Sequence, residues 1–224
     1  MPTSPTNTVL IVPDLHCPYQ HPGAVDFLAD VKRRYRPRSV VCIGDEIDAH
    51  ALARWTPDPD LDGPGVELAK ASAALKPLYK LFPSVSVCES NHTLRPWKKA
   101  REAGLPGALL RSVGEIVGAP AGWRWAPWHR LAGVLYTHGD GYSGFDCSRR
   151  AATAHRCPVV MGHVHSAAGV WHAQGYFDRV WGLSVGCLID PDSPAFSYGR
   201  YHAARPVLGC GVIVDGVPQF VPMN

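Results

Sequence analysis

The stretches VLIVPDLH at residues 9 to 16 and VVCIGDEID at residues 40 to 48 decide the fold of this chain. Each begins with four apolar residues, reaches a proline or a glycine, and continues into charged side chains. Apolar runs of this length bounded by turn residues are typical of buried strands. Between them, apolar residues recur at roughly helical spacing from Ala24 to Tyr35. The pattern predicts a βαβ unit with a right-handed crossover and parallel strands.

The rest of the chain continues this alternation. A second helix is predicted from Val66 to Leu81, with a kink or break at Pro77, and a third strand from Val85 to Cys88. Later apolar runs are less often separated by helices, which suggests a second sheet with antiparallel pairing. These runs lie at residues 131–137, 159–161, 180–185, 207–214 and 219–221. We therefore expect an α/β fold of two packed sheets with helices outside.

Length and composition predict a single domain spanning residues 1–224. A formal charge of only +3 argues against a dedicated nucleic-acid or membrane-surface binder. The start does not resemble a signal peptide, and no window approaches the roughly 18 apolar residues of a membrane span. The seven cysteines contain no CxxC pair and predict reduced thiols. We expect a soluble, cytoplasmic protein with no membrane partner, and the oligomeric state stays open.

The segment from Arg95 to Arg130 interrupts the rhythm and is predicted to be an insertion or cap. It holds seven basic and two acidic residues, together with four tryptophans: Trp97, Trp123, Trp125 and Trp128. Basic groups interleaved with tryptophans suit a surface that stacks bases and follows phosphates. A solvated helix beside a small tryptophan-rich core would give the same composition. Both interpretations stay open.

Polar side chains follow the predicted strands at the point where each strand ends. Ligand sites of open α/β sheets gather beyond the carboxyl ends of strands, so these groups should converge. Seven of them carry oxygen or imidazole ligands: Asp14, His16, Asp45, Asn91, His138, His163 and His165. Such ligands without sulfur suit Mn, Fe, Zn, Ni or Co rather than Ca or Mg alone. Seven ligands exceed the needs of one ion, which favours two ions about 3.5–4 Å apart that together clamp a phosphate.

At this point the sequence resembles the calcineurin-like metallophosphoesterases. The blocks occur in the order of that family: DLH at 14–16, GDEID at 44–48, NH at 91–92, HG at 138–139 and GHVH at 162–165. The resemblance implies a four-layer αββα sandwich of two mixed sheets. It also implies that one ion is bound by Asp14, His16 and His165, and the other by Asn91, His138 and His163. Asp45 would bridge the two ions.

The resemblance further assigns catalytic roles to His92 and Asp48. A hydroxide held between two divalent ions, with manganese expected first, would attack phosphorus in line. His92 follows the metal-binding Asn91 and would contact the phosphate and help the leaving oxygen depart. Asp48 matches the carboxylate that orients this histidine, a pairing that fixes the tautomer and raises basicity.

The chain departs from the pattern of the family in three places. Ser90 stands where the block has glycine, and Thr93 stands where it has an acid. Ala49 stands where phosphoprotein phosphatases carry an arginine that binds phosphate, and this difference weakens the interpretation of the chain as a protein phosphatase. A replacement cation could come from Arg54, Arg95 or Lys98, and the spacing does not decide among them.

The sequence therefore predicts a metal-dependent phosphoesterase, with a nucleotide or nucleic-acid phosphodiester as the favoured substrate. The alternatives are a phosphomonoesterase, including a protein phosphatase, and a non-catalytic metal-binding scaffold on the same fold. The remaining histidines are interpreted as surface or core residues: His21, His50, His129, His155, His172 and His202. Of these, His50 and His129 are the two to compare with the structure first.

Overall fold

The computed structural model describes residues 7–54, 58, 60–196 and 203–224. His202, one of the histidines interpreted above as surface or core residues, lies outside these described residues. The described helices are α1 (Ala24–Tyr35), α2 (Pro64–Leu81), α3 (Arg95–Glu102), α4 (Val113–Ile116) and α5 (Cys147–His155), with 3-10 turns at His50–Leu52 and Gly107–Leu109. None of these helices is long and apolar enough to cross a bilayer.

The strands form two mixed sheets. Six of them build the first sheet, in the spatial order β11 (Val217–Pro222), β10 (Gly209–Val214), β1 (Thr8–Val12), β2 (Ser39–Cys42), β3 (Val85–Cys88) and β4 (Trp123–Ala126). Five build the second, in the order β5 (Trp128–Leu131), β6 (Val134–Thr137), β7 (Val159–Met161), β9 (Arg179–Val185) and β8 (Ala168–Gln174). Strands β1 to β4 are parallel, as are β6, β7 and β9, and the remaining pairs are antiparallel.

Alternation along β1 shows how the layers stack. Leu10 and Val12 pack in one buried cluster with side chains of α1 and α2, whereas Val9 and Ile11 pack in another with residues of the second sheet. Successive strand residues point to opposite faces, so one strand serves both interfaces. A third cluster joins α5 to the far face of β7. The predicted four-layer αββα sandwich is therefore confirmed.

Two local predictions differ from the structure. The helix α2 continues through Pro77 to Leu81 without the predicted break, since the buried Leu75 and Leu78 on either side hold this turn against the sheet. The run predicted as one strand at 131–137 is a hairpin. Ala132 and Gly133, with φ of 50° and 81°, reverse the chain between β5 and β6, as expected of a tight two-residue turn in which both residues have positive φ.

The last eight residues of the 95–130 segment belong to the sandwich itself. The strand β4 pairs with β3 at an edge of the first sheet, and β5 pairs with β6 at an edge of the second. Trp123 is buried and donates its indole N–H to the carbonyl of Phe82 at 2.8 Å, whereas Trp128 is exposed. We therefore retain the proposal of a cap or insertion only for residues 95–122, which contain α3 and α4.

Candidate metal centre

The structure brings the seven predicted ligand side chains together at one edge of the two sheets. Each belongs to a loop that leaves the carboxyl end of a parallel strand: β1, β2 and β3 in the first sheet, and β6 and β7 in the second. The loops after these strands carry, in that order, Asp14 and His16, Asp45, Asn91, His138, and His163 with His165. Parallel strands thus place five separate loops around one point, as the sequence pattern predicted.

The first group of ligand atoms surrounds His16. Its Nε2 lies 3.1 Å from Nε2 of His165 and 3.3 Å from Oδ2 of Asp45. Nε2 of His165 lies 3.3 Å from Oδ2 of Asp14. Ligand atoms of these four residues all fall within 4.8 Å of one another. This group can hold one ion.

The second group surrounds His138. Its Nε2 lies 3.0 Å from Oδ1 of Asn91 and 3.1 Å from Nδ1 of His163. The same nitrogen lies 3.3 Å from Oδ2 of Asp45. Asp140 stands at the exposed side of this group, with Oδ1 3.9 Å from Nδ1 of His163. This group can hold a second ion.

Asp45 stands between the groups, because its Oδ2 is 3.3 Å from a histidine nitrogen of each. These spacings suit coordination. Two ligand atoms about 2.1 Å from one ion and at right angles to each other lie about 3.0 Å apart. Two neutral imidazole nitrogens at 3.1 Å, in contrast, share at most one proton. The geometry therefore fits a shared cation better than a set of hydrogen bonds.

The ligand nitrogens are directed inward by bonds to the far side of each ring. His16 donates from Nδ1 to Oδ2 of Asp48 at 3.0 Å, and His138 donates from Nδ1 to the carbonyl of Ile43 at 3.1 Å. Each bond leaves the lone pair of Nε2 facing the site. Bonds of this kind set the tautomer and the orientation of metal-binding histidines.

A buried carboxylate oxygen without a partner supports the same conclusion. Oδ2 of Asp14 accepts the backbone N–H of His163 at 2.8 Å, but Oδ1 has no hydrogen bond among the described residues although it is fully buried. A buried carboxylate oxygen that accepts no hydrogen bond is costly unless it binds a cation. A Cβ at Gly162 would lie 2.2 Å from this oxygen, so glycine there keeps the oxygen clear. The residues present fit two divalent ions.

Backbone conformation at the site also points to function. His16, Asp45 and His163 have φ of 51°, 46° and 67°, in the left-handed region that residues other than glycine rarely adopt. Such conformations cost about 1–3 kcal/mol each and cluster at active sites and ligand clamps. The fold therefore tolerates strain at three of the seven candidate ligands.

The electrostatics of the site require positive charge. Burial lowers the pKa of His16, but the carboxylates of Asp45 and Asp48 outweigh this effect and raise it to about 10. Burial likewise lowers the pKa of His138, and Asp45 and Asp14 outweigh it and raise the value to about 9. Burial raises the pKa of Asp45, yet the surrounding histidines hold it well below its usual range. Bound cations can replace these histidine protons.

His92 and Asp48 lie beside the metal groups, and His92 faces both the backbone and the carboxylate of Asp48. Nδ1 of His92 donates to the backbone carbonyl of Asp48 at 3.0 Å, while the carboxylate Oδ1 is 3.4 Å away. The carboxylate instead accepts from His16 and from Arg95, whose Nη1 lies 3.1 Å from Oδ1. The backbone of Asp48 therefore makes the nearer contact to His92, and its carboxylate joins a metal ligand to Arg95.

Arg95 is a residue of this site that sequence reasoning named only as one of three candidate cations. Its Nη1 also donates to the carbonyls of Asp48 and Ala49, at 3.0 and 3.3 Å, and its Nη2 lies 3.1 Å from Nε2 of His92. Arg95 begins α3, one helical turn after His92. The i, i+3 spacing would have placed the two side chains together had that helix been recognised.

The departures at residues 90 and 93 form a buried hydrogen-bond chain. The backbone N–H of Asp45 donates to Oγ of Ser90 at 2.8 Å, Ser90 donates to Thr93, and Thr93 donates to Glu46 at 3.0 Å. The indole N–H of Trp125 donates to the other oxygen of Glu46 at 3.0 Å. Burial raises the pKa of Glu46. Ser90 and Thr93 thus connect the buried carboxylate of Glu46 to the backbone N–H of Asp45.

His50 and His129 both form hydrogen bonds with backbone groups. His129 donates from Nε2 to the carbonyl of Val87 at 2.9 Å, and Nε2 of His50 accepts the N–H of Asp58. Neither belongs to a cluster of ligands in the part of the chain that the structure describes. One further ring does border the site: Phe196 lies edge-on to His16, with ring centroids 5.5 Å apart.

Comparison with solved structures identifies proteins that share the fold of this chain. No family model and no curated protein matches the chain. Yfce, a phosphoesterase from E. coli, superposes with a TM-score of 0.52 and 13% identity, covering 97% of this chain and 93% of its own. A dimetal phosphatase from Danio rerio superposes with a TM-score of 0.50 and 11% identity, covering 97% and 96%. This chain therefore has the calcineurin-like metallophosphoesterase fold, as the sequence resemblance implied.

Proposed function

We propose that this chain is a dinuclear metal-dependent phosphoesterase. The observation that carries the proposal is the position of Asp45, whose Oδ2 lies 3.3 Å from Nε2 of both His16 and His138. A carboxylate shared by two sets of ligands is what a two-ion centre requires. The phosphoesterase and the dimetal phosphatase that share the fold support the same class of chemistry.

Two ions would divide the ligands as the distances group them. Asp14, His16 and His165 would hold one, and Asn91, His138 and His163 the other, with Asp45 between. When bound, two divalent transition-metal ions, manganese first with Fe, Zn, Ni or Co as alternatives, polarise phosphate oxygens and lower the pKa of water. The imidazole bonds to Asp48 and Ile43 fix the ligands before an ion arrives, which limits reorganisation.

His92 would act on the leaving oxygen. Burial lowers its pKa. Its Nδ1–H donates to the carbonyl of Asp48, so Nε2, which now contacts Arg95, is the atom that would take a proton from solvent water and pass it to the departing oxygen. Proton transfer by such a positioned side chain contributes about 10²–10⁴-fold to rate.

The favoured substrate is a nucleotide or nucleic-acid phosphodiester. The support is a basic wall beside the site, because Arg54, Lys98 and Lys99 line a pocket that also includes Asn91. A phosphomonoesterase and a non-catalytic scaffold remain the alternatives. A strict protein phosphatase is disfavoured, because the arginine nearest the site, Arg95, is already bonded to Asp48 and His92.

The test is Mn-supplemented hydrolysis of bis-p-nitrophenyl phosphate and p-nitrophenyl phosphate, run beside Asp45→Asn, and then of 2′,3′-cyclic nucleotides and single-stranded DNA. Diester cleavage that Asp45→Asn abolishes is the expected result. Monoester cleavage alone would make the chain a phosphatase. Two bound metals with no cleavage of any substrate would favour the scaffold.

A paired comparison separates metal binding from proton transfer. Asp45→Asn should remove activity together with one or both metals, measured by inductively coupled plasma mass spectrometry. His92→Ala should keep both metals and slow turnover by about 10²–10⁴-fold. Equal metal loss in the two variants would contradict the roles proposed for these residues.

A further inference from the structure

A basic pocket adjoins the candidate metal centre. It is lined by Arg54, Asn91, Arg95, Lys98 and Lys99, together with Leu52 and Glu102, and its volume is about 540 Å³. Ligand pockets commonly measure about 300–1,000 Å³. Because Asn91 belongs to one ligand group and Arg95 contacts His92, the pocket opens directly from the site of reaction. It is therefore placed to receive a part of the substrate beyond the reacting phosphate.

Some of the cations that line this pocket are already bonded to other side chains, and some are not. Arg95 is bonded to Asp48 and His92, and Lys99 pairs with Glu102 at 3.1 Å. Arg54 and Lys98, both exposed, have no ion pair among the described residues. Two unpaired positive charges on one wall focus a positive potential into the concavity. Their natural partner is an anionic group of a bound molecule.

The arrangement also explains why a single phosphate would not use this wall. The reacting phosphate sits at the proposed metal groups, where Arg95 and His92 already form the border. Arg54 lies two residues after the 3-10 turn at His50–Leu52, Lys98 lies in α3, and both line the pocket that Asn91 and Arg95 also line. A second anionic group on the same molecule is the natural occupant of that pocket.

We propose that Arg54 and Lys98 bind the phosphate that flanks the scissile one in a single-stranded nucleic acid. This inference rests on the proposed function for the class of substrate and extends it to a second subsite. The pocket would then favour oligonucleotides over mononucleotide esters, since only the former carry the additional negative charge. Phosphate contacts of this kind position a strand without reading its sequence.

Binding tests the subsite without relying on turnover. The probe is a fluorescein-labelled tetrathymidylate with phosphorothioate linkages, titrated by fluorescence anisotropy against the Mn-loaded protein and its Arg54→Ala and Lys98→Ala variants. Arg101→Ala is the matched control, because Arg101 is an exposed cation of the same helix that does not line the pocket. We expect the Kd to rise about 5- to 10-fold in each pocket variant and to be unchanged in the control.

Salt and probe chemistry sharpen the result. Each neutralised phosphate adds about 0.7 to the slope of log K against log salt for single strands, so an Arg54→Ala/Lys98→Ala double variant, which frees the one flanking phosphate, should lose about 0.7 of that slope. A probe with uncharged methylphosphonate linkages should not distinguish Lys98→Ala from wild type. If the pocket variants bind both probes as Arg101→Ala does, the subsite is refuted, whether or not the protein hydrolyses phosphodiesters. If the pocket variants weaken binding as expected but the wild-type protein hydrolyses no phosphodiester, only the proposed function is refuted.

Discussion

Replacing Arg95 should impair catalysis through His92 rather than through the metals. The guanidinium lies 3.1 Å from Nε2 of His92 and 3.1 Å from the carboxylate of Asp48, and its side chain is only 18% exposed. It contacts none of the seven candidate ligands in the hydrogen bonds that the structure describes. Arg95→Ala should therefore keep the metals and leave His92 free to turn away from the leaving oxygen.

The magnitude follows from the bonds that are lost. A hydrogen bond to a charged group contributes about 1.5–3 kcal/mol, and about 1.4 kcal/mol corresponds to a factor of ten. Loss of the contact to His92 should thus lower kcat about 10- to 100-fold. Removing one of the partners of the buried Asp48 should also destabilise the fold by about 3 kcal/mol, the lower end for broken buried pairs, because His16 still donates to the carboxylate. For a chain of this length that lowers Tm by about 6–12 °C.

A double-mutant cycle provides the assay. The kcat of Arg95→Ala, His92→Ala and the double variant is measured on bis-p-nitrophenyl phosphate below the lowered Tm, with metal content checked in each protein. If Arg95 acts by positioning His92, its removal costs almost nothing once His92 is absent. Arg95→Lys, which keeps the charge but not the planar fork, should recover stability more than kcat. Additive losses in the cycle would refute this reasoning.

Two further predictions follow from the metal groups. Gly162→Ala should lower metal content, because the new Cβ would lie 2.2 Å from Oδ1 of Asp14; Gly107→Ala, with nothing within 4 Å, is the control, and equal metal content in both would contradict the prediction. In EDTA, stability should fall as pH rises from 6.5 to about 10, because His16 and His138 have pKa values raised to about 10 and about 9 in the folded protein and so stabilise it only while protonated. With manganese the stabilisation should instead grow over this range, since metal binding needs neutral imidazoles; thermal shift with and without the metal measures both, and an EDTA curve that rises with pH would exclude the assignment.

The layered fold was predictable because its central strands are apolar on both faces. The run from Val9 to Val12 is apolar throughout, as it must be for a strand buried on both faces by helices and by a second sheet. The edge strands carry weaker signals. Trp123–Ala126 contains an exposed arginine, and its assignment depends on pairing with β3, which no local pattern encodes. Tertiary context decides such strands.

The site was predictable where its residues lie in loops directly after buried strands and not where they lie inside a helix or an edge strand. The seven candidate ligands lie in loops after buried runs, so their convergence could be inferred from topology alone. Arg95 contacts the site from α3, and Trp125 contacts Glu46 from β4, the edge strand of the first sheet. The contacts of Arg95 depend on how the 95–122 segment packs, and those of Trp125 on the pairing of β4 with β3, and neither follows from composition.

The hydrogen-bond chain through Glu46 has a consequence for how this sequence can change. Thr93 donates to one oxygen of Glu46 and Trp125 to the other. Thr93→Asp would press a second carboxylate against Glu46 in a buried site, where burial already raises the pKa of Glu46 and a further acid is costly. We therefore expect an acid at residue 93 to be tolerated only when Glu46 is replaced as well, so that the two positions can change together but not singly.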